Sequence, residues 1–177
     1  MRQATSWTRP LQYAVAGWYV LQGVYALSLP FWMSGPMAQA MSQSVQRQQQ
    51  LSPTAKPPPA DLINVMTSMM TVALWVAAVI GLAISVVAIV GALRRWTWSY
   101  YAVLLLLGLS AISLPVDIIN ALGGSTVAAA SGFSMPSWTY WLGLASAIPA
   151  TALFVWMLVA LVKRGPWGMS KVAPGVS

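Results

Sequence analysis

The chain has 177 residues, 58% of them hydrophobic and 6% charged, with a net charge of +7. Soluble domains usually carry about 25% charged residues, so this chain has too little charge to cover a water-facing surface, and a bilayer is its natural solvent. Without Cys, His or Glu, it can build no disulfide framework, no thiolate or imidazole metal site, and no Cys or Ser-His nucleophile system.

The first apolar stretch runs from about Leu11 to Met33, long enough to cross the bilayer as a helix, which takes about 20 residues. Arg2 and Arg9 before it and Ala38-Gln39-Ala40 after it resemble a secretory signal with a cleavage site. The stretch exceeds the usual signal core of about 7–15 residues, which favours a retained span. Gln22, near its middle, is expected to point inward and to pair with Ser85, Ser110 or Thr151 as glue between helices.

The segment from Ser34 to Asp61 reads as a long outer loop. Ser34-Gly35-Pro36 predicts a break followed by a helix start. Met37, Met41 and Val45 would then share one face of a short helix. Gln46 to Gln50 is a polar run, and Pro53 to Pro59 is an extended connector.

The second span runs from about Leu62 to Leu93, capped at its start by Asp61. At 1.5 Å per residue it is about 48 Å long, so its first turns are expected to project outward from the bilayer. Asn64, Thr67, Ser68 and Thr71 make that part polar on one side. A row of small residues follows: Ala73, Ala77, Gly81, Ser85, Ala88 and Ala92. Small residues let membrane helices approach closely, so Ala77, Gly81 and Ser85 are candidate packing positions. The row serves packing within the chain or a dimer face.

The turn at Arg94-Arg95 is short and makes the second and third spans antiparallel neighbours. The third span, about Trp98 to Asn120, carries Ser110, Ser113, Asp117 and Asn120 as one helical stripe, with Pro115 inside it. An ionisable residue in a span is a functional candidate. Asp117 lies about 28 Å along the helix from Trp98, near the outer interface. Two readings follow. Asp117 pairs with Arg47 or Lys56 or meets headgroups. Alternatively, Asp117, Asn120, Ser113 and Ser110 join Asn64, Thr67 and Thr71 in an outward-facing polar pocket for a cation, a small solute or a lipid headgroup.

A turn-rich outer loop, about Ala121 to Ser137, leads to the fourth span, about Trp138 to Val162. Gly143, Ala147 and Thr151 form its small-residue row, and Pro149 is expected to kink it by freeing the carbonyl of Ala145.

Basic residues set the orientation. Arg2, Arg9, Arg94, Arg95, Lys163, Arg164 and Lys171 flank one side, against Arg47 and Lys56 on the other. That bias predicts both termini in the cytoplasm. Trp7, Trp32, Trp96, Trp98, Tyr100, Tyr101, Trp138, Tyr140, Trp141 and Trp167 read as interfacial anchors. The basic residues sit at span ends rather than along a stripe, so no nucleic-acid partner is expected.

Seven of the ten methionines lie toward the outer side. Thioethers favour Cu(I), so Met37, Met41, Met66, Met69 and Met70 form a possible copper group. Their ordinary use is filling gaps between helices. No cofactor is expected.

Leu114-Pro115-Val116-Asp117 and Arg164-Gly165-Pro166-Trp167, with the overall composition, resemble small four-helix membrane proteins of high-GC bacteria. That resemblance implies no activity. The expectation is a single all-α domain over residues 1–177: a four-transmembrane-helix bundle in the cell membrane, with both termini inside and helical extensions outside. Its partners are expected to be the lipid bilayer and other membrane subunits or a second copy of itself. The expected role is a non-enzymatic accessory or assembly subunit, with a small transporter, channel or sensor as the alternative.

Overall fold

A computed structural model describes residues 2–51, 60–123 and 137–171. It contains four long helices: α1 (Thr8–Leu51), α2 (Ala60–Leu93), α3 (Thr97–Gly123) and α4 (Ser137–Arg164). Each is long and apolar enough to cross a membrane. A single 3-10 turn (Pro166–Gly168) follows α4. Short strands β1 (Arg2–Ala4) and β2 (Met169–Lys171) pair antiparallel, with Gln3 opposite Ser170. Apart from this pair of three-residue strands the described fold is helical, as expected from the sequence.

α1 begins with a capping arrangement. The Thr5 N–H donates to Thr8 Oγ1 at 2.9 Å, and the Trp7 N–H donates to Thr5 Oγ1 at 3.3 Å. These side chains satisfy donors that lack helical partners. The helix then runs for 44 residues, about 66 Å at 1.5 Å per residue. The expected break at Ser34-Gly35-Pro36 does not occur, and both Pro30 and Pro36 lie inside the helix. Each proline removes one helical donor, and a long apolar helix tolerates this when packing holds it on both sides. Ala40 and Met41 beyond the prolines are buried, so the extension is packed against protein. Met37 and Val45 beside them are half-buried.

α2 packs chiefly against α1, and α3 chiefly against α4. Small residues make the first pairing close. A Cβ on Gly81 would stand 3.1 Å from the Ala26 Cβ, and one on Gly23 would stand 3.4 Å from the Ser85 Cβ. Gln12, buried near the start of α1, donates from Nε2 to the Ala92 carbonyl at 2.6 Å. On the other pair, Gly108 accommodates the Phe154 ring.

The α2–α3 turn closes by two reversed hydrogen bonds. The Trp96 N–H reaches the Gly91 carbonyl at 2.9 Å, and the Arg95 N–H reaches Ala92 at 3.2 Å. This is the Schellman pattern, which places Arg95 in the left-handed region at φ 59°. Gly91 is needed here for space, because any Cβ would overlap the Ser99 side chain.

The buried core draws on all four helices and lies toward the Arg94-Arg95 turn. Leu11, Val15, Tyr19, Ala88, Ala92, Tyr100, Val103, Leu107, Ala150, Met157 and Ala160 form it together with Trp167. Nearer the opposite end, ring contacts link α1 to α2 (Phe31–Trp75, 5.4 Å) and α1 to α4 (Trp32–Trp138, 5.2 Å).

Candidate functional site

All four helices line one cavity of about 320 Å³. α1 contributes Trp18, Tyr19, Gln22 and Ala26. α2 contributes Gly81, Ile84 and Ser85. Leu106, Leu107 and Ser110 come from α3, and Ser146 and Ala150 from α4. The site lies well inside the spans. Ser85 is about 14 Å along its helix from Arg94, and Gln22 about 20 Å from Arg9.

The lining is mostly apolar, with a few uncharged polar side chains among it. The hydroxyl of Ser85 donates to the Gly81 carbonyl at 2.9 Å, and that of Ser146 donates to Gly143 at 2.8 Å. Among the described residues Gln22 forms no hydrogen bond with Ser85, Ser110 or Thr151, so the expected pairing is not seen. Ser85 and Ser110 share its cavity, while Thr151 turns back to the Ala147 carbonyl at 2.8 Å. With the Gln22 amide, the Tyr19 phenol and three serine hydroxyls but no charged side chain, the cavity suits water or a neutral molecule.

Of the sequence candidates for a polar pocket, only Ser110 lines this cavity. The others are spread along the halves of α2 and α3 away from the Arg94-Arg95 turn. Ser113 Oγ lies 2.9 Å from the Ser110 carbonyl and 3.1 Å from Asp117 Oδ2, donating within its own helix. Asp117 and Asn120 are half-buried. Asn64 and Ser68 are exposed, Thr67 and Thr71 are half-buried, and Thr71 donates to the Thr67 carbonyl at 3.0 Å. The α2 stripe and the α3 stripe thus lie on helices whose main partners are α1 and α4, respectively. Among the described residues Asp117 forms no ion pair. Arg47 is exposed, and Lys56 lies outside the described residues.

The candidate packing positions divide. Gly81, Ser85 and Ala147 are at helix contacts or buried. Ala77 is exposed, and its neighbour Ala78 is fully buried in its place. A Cβ at Gly143 would meet nothing within 4 Å. The small-residue row is therefore used from Gly81 onward, and the first part of it faces away from α1. The methionines occupy unlike environments: Met41 is buried, Met37 and Met70 are half-buried, and Met66 and Met69 are exposed. Met135 lies outside the described residues.

The basic end is more elaborately built than its sequence suggests. Trp167, expected as an interfacial anchor, is 0% exposed. Its Nε1 donates to the Trp96 carbonyl at 2.9 Å, and its ring meets Tyr100 edge-on at 5.0 Å. The Tyr100 hydroxyl in turn donates to the Met157 carbonyl. The Gly168 carbonyl accepts from Thr5 Oγ1 at 2.5 Å and from Thr8 Oγ1 at 3.3 Å. Together with the strand pair, these bonds fasten the segment after α4 to the segment before α1. The signal was present in Gly165-Pro166-Trp167-Gly168, where glycines on both sides of a proline and a tryptophan mark a tight turn. Both glycines adopt positive φ, 93° and 65°. Around this clasp Arg9, Arg94, Arg95, Lys163 and Arg164 are all exposed. The Arg94 guanidinium sits 5.9 Å from the Trp96 ring, which stacks on Trp98 at 5.6 Å.

No protein-family model matches the chain, and no match was found among curated proteins or solved structures.

Proposed function

We propose that the protein is a non-enzymatic, single-domain membrane protein with both termini and the Arg94-Arg95 turn in the cytoplasm. In this reading it serves as an accessory or assembly subunit, acting through helix–helix contacts in a larger membrane complex. The observation that supports this is on α3. It is the least covered of the four helices, yet it carries Asp117, hydrogen-bonded to Ser113 of its own helix and, among the described residues, to no cation. Ionisable side chains within spans are normally paired. A basic or amide side chain on a helix of another chain would complete the site. The exposed start of the α2 small-residue row offers a second contact of the same kind.

The test is purification in mild detergent with mass spectrometry of co-purifying chains. A stoichiometric partner that is lost from Asp117→Leu and retained by a lipid-facing control, Ile112→Leu, supports the reading. A parent protein that purifies without any partner refutes it.

The four-helix cavity favours a second reading, as a small transporter, channel or sensor for a neutral solute. Its centre is then Gln22 with Ser85, Ser110 and Ser146, rather than Asp117. Under this reading Ser110→Cys reacts with a small water-soluble thiol reagent much faster than Ile112→Cys. Equal rates would remove the case for a hydrated site.

A further inference from the structure

A second cavity, about 290 Å³, is a groove between α2 and α3 just beyond their shared turn. Its floor is Ala88, Ser99 and Val103, all buried. Its rim includes Ala83, Val87, Trp98 and Ala102, all exposed. The lining is apolar apart from Ser99. The small alanines keep the groove open, and its length from Trp98 to Leu106 is about 12 Å.

One end of the groove is chemically distinct. Trp98 on its rim stacks on Trp96, and the Arg94 guanidinium lies over Trp96. Arg95, next in the chain, is exposed and held in the left-handed conformation by the turn. Neither aspartate of the chain competes there: Asp61 and Asp117 lie at the far ends of α2 and α3. An apolar slot that opens at paired arginines matches an amphiphile with an anionic head. A zwitterionic lipid would bring a cation to the paired arginines along with its phosphate, and a free anion would leave the groove unused.

We infer that this groove holds one acyl chain of an anionic phospholipid whose phosphate is bound by Arg94 and Arg95. The inference needs the membrane placement proposed above but neither a partner chain nor a solute in the four-helix cavity. A basic residue near an anionic surface contributes about 1 kcal/mol, roughly a fivefold change in affinity. Losing both arginines is then expected to weaken binding by on the order of twentyfold.

The experiment uses the purified full chain in neutral detergent. Phosphatidylglycerol, phosphatidylcholine and glycerol phosphate are titrated separately, and bound molecules are counted by native mass spectrometry. The expected result is one retained phosphatidylglycerol, at least tenfold weaker phosphatidylcholine, and no retained glycerol phosphate. Arg94→Ala with Arg95→Ala weakens phosphatidylglycerol by about twentyfold. Ala102→Trp, which fills the groove, abolishes it, whereas Leu105→Trp outside the groove lining does not. Should Ala102→Trp fail to fold, Ala83→Leu on the facing rim takes its place. Equal binding of the two phospholipids overturns the proposal, as does retention by the groove-filled variant, which would reduce the effect to surface charge. Retention of glycerol phosphate alone would mean a phosphate site without a chain, and it also overturns the proposal.

Discussion

Replacing Trp167 tests the clasp that joins the two ends of the folded chain. The side chain is fully buried, donates to the Trp96 carbonyl and packs edge-on against Tyr100. Truncating a buried tryptophan to alanine typically costs about 3–5 kcal/mol. The backbone adds a second, separable effect. Trp167 sits at φ 58°, ψ 18°, where a residue with a Cβ is destabilised by about 1–2 kcal/mol and glycine is not. Alanine loses the ring and keeps that strain, whereas glycine loses the ring and relieves it. Phenylalanine keeps an aromatic ring against Tyr100 and loses only the indole bond to the Trp96 carbonyl, which still accepts from the Tyr100 N–H at 3.1 Å, a loss of about 0.5–1.5 kcal/mol. The expected order of destabilisation is Trp167→Ala, then Trp167→Gly, then Trp167→Phe. Equilibrium unfolding in mixed micelles, followed by near-ultraviolet circular dichroism, measures it. If Trp167→Ala lies within about 0.5 kcal/mol of the parent, the ring is not the keystone described, since truncations of buried tryptophan cost several times that. If glycine is worse than alanine, the left-handed backbone at this position is refuted.

Four further outcomes are expected. Gly91→Ala should destabilise by about 1–3 kcal/mol through overlap with Ser99, and more than Gly81→Ala, where Ala26 must yield slightly. Gly17→Ala, with nothing within 4 Å, should stabilise by up to about 1 kcal/mol through helix propensity, and the same unfolding titration ranks all three. Gln12→Leu removes the buried bond to the Ala92 carbonyl and should cost about 0.6–1.7 kcal/mol, the range found for hydrogen bonds between membrane helices; no change would show that the bond adds nothing. Because the chain has no native cysteine, single substitutions report topology directly. Gln43→Cys should react with an impermeant maleimide on intact cells, and Ser6→Cys only after permeabilisation; the reverse pattern would invert the proposed orientation.

Four long apolar helices were legible because scarcity of charge and span length are summed over many residues, and no single misreading disturbs the sum. The details that failed are those decided by one neighbour. Ser34-Gly35-Pro36 carries every local mark of a break, yet packing around Ala40 and Met41 continues the helix past it. The small-residue row in α2 was visible, but its phase was not: a rotation of one residue buries Ala78 and exposes Ala77. Gln22 stood out as an amide within a span. Ser146, its companion across the cavity, had nothing to distinguish it from other serines in a helix rich in small residues. Trp167 was misassigned because a tryptophan beside basic residues usually marks an interface, and burial there depends on contacts with Trp96 and Tyr100, far away in sequence.

The clasp also orders events in time. Gln3 pairs with Ser170, and Thr5 with Gly168, so these partners are separated by nearly the whole length of the chain. During synthesis α1 and α2 can meet long before Met169 leaves the ribosome, whereas the strand pair must wait for α4 to be inserted. Contacts between such distant segments form slowly, because a long loop must close first. The strand pair is therefore a late step, and its formation marks a chain in which all four helices have already taken their places.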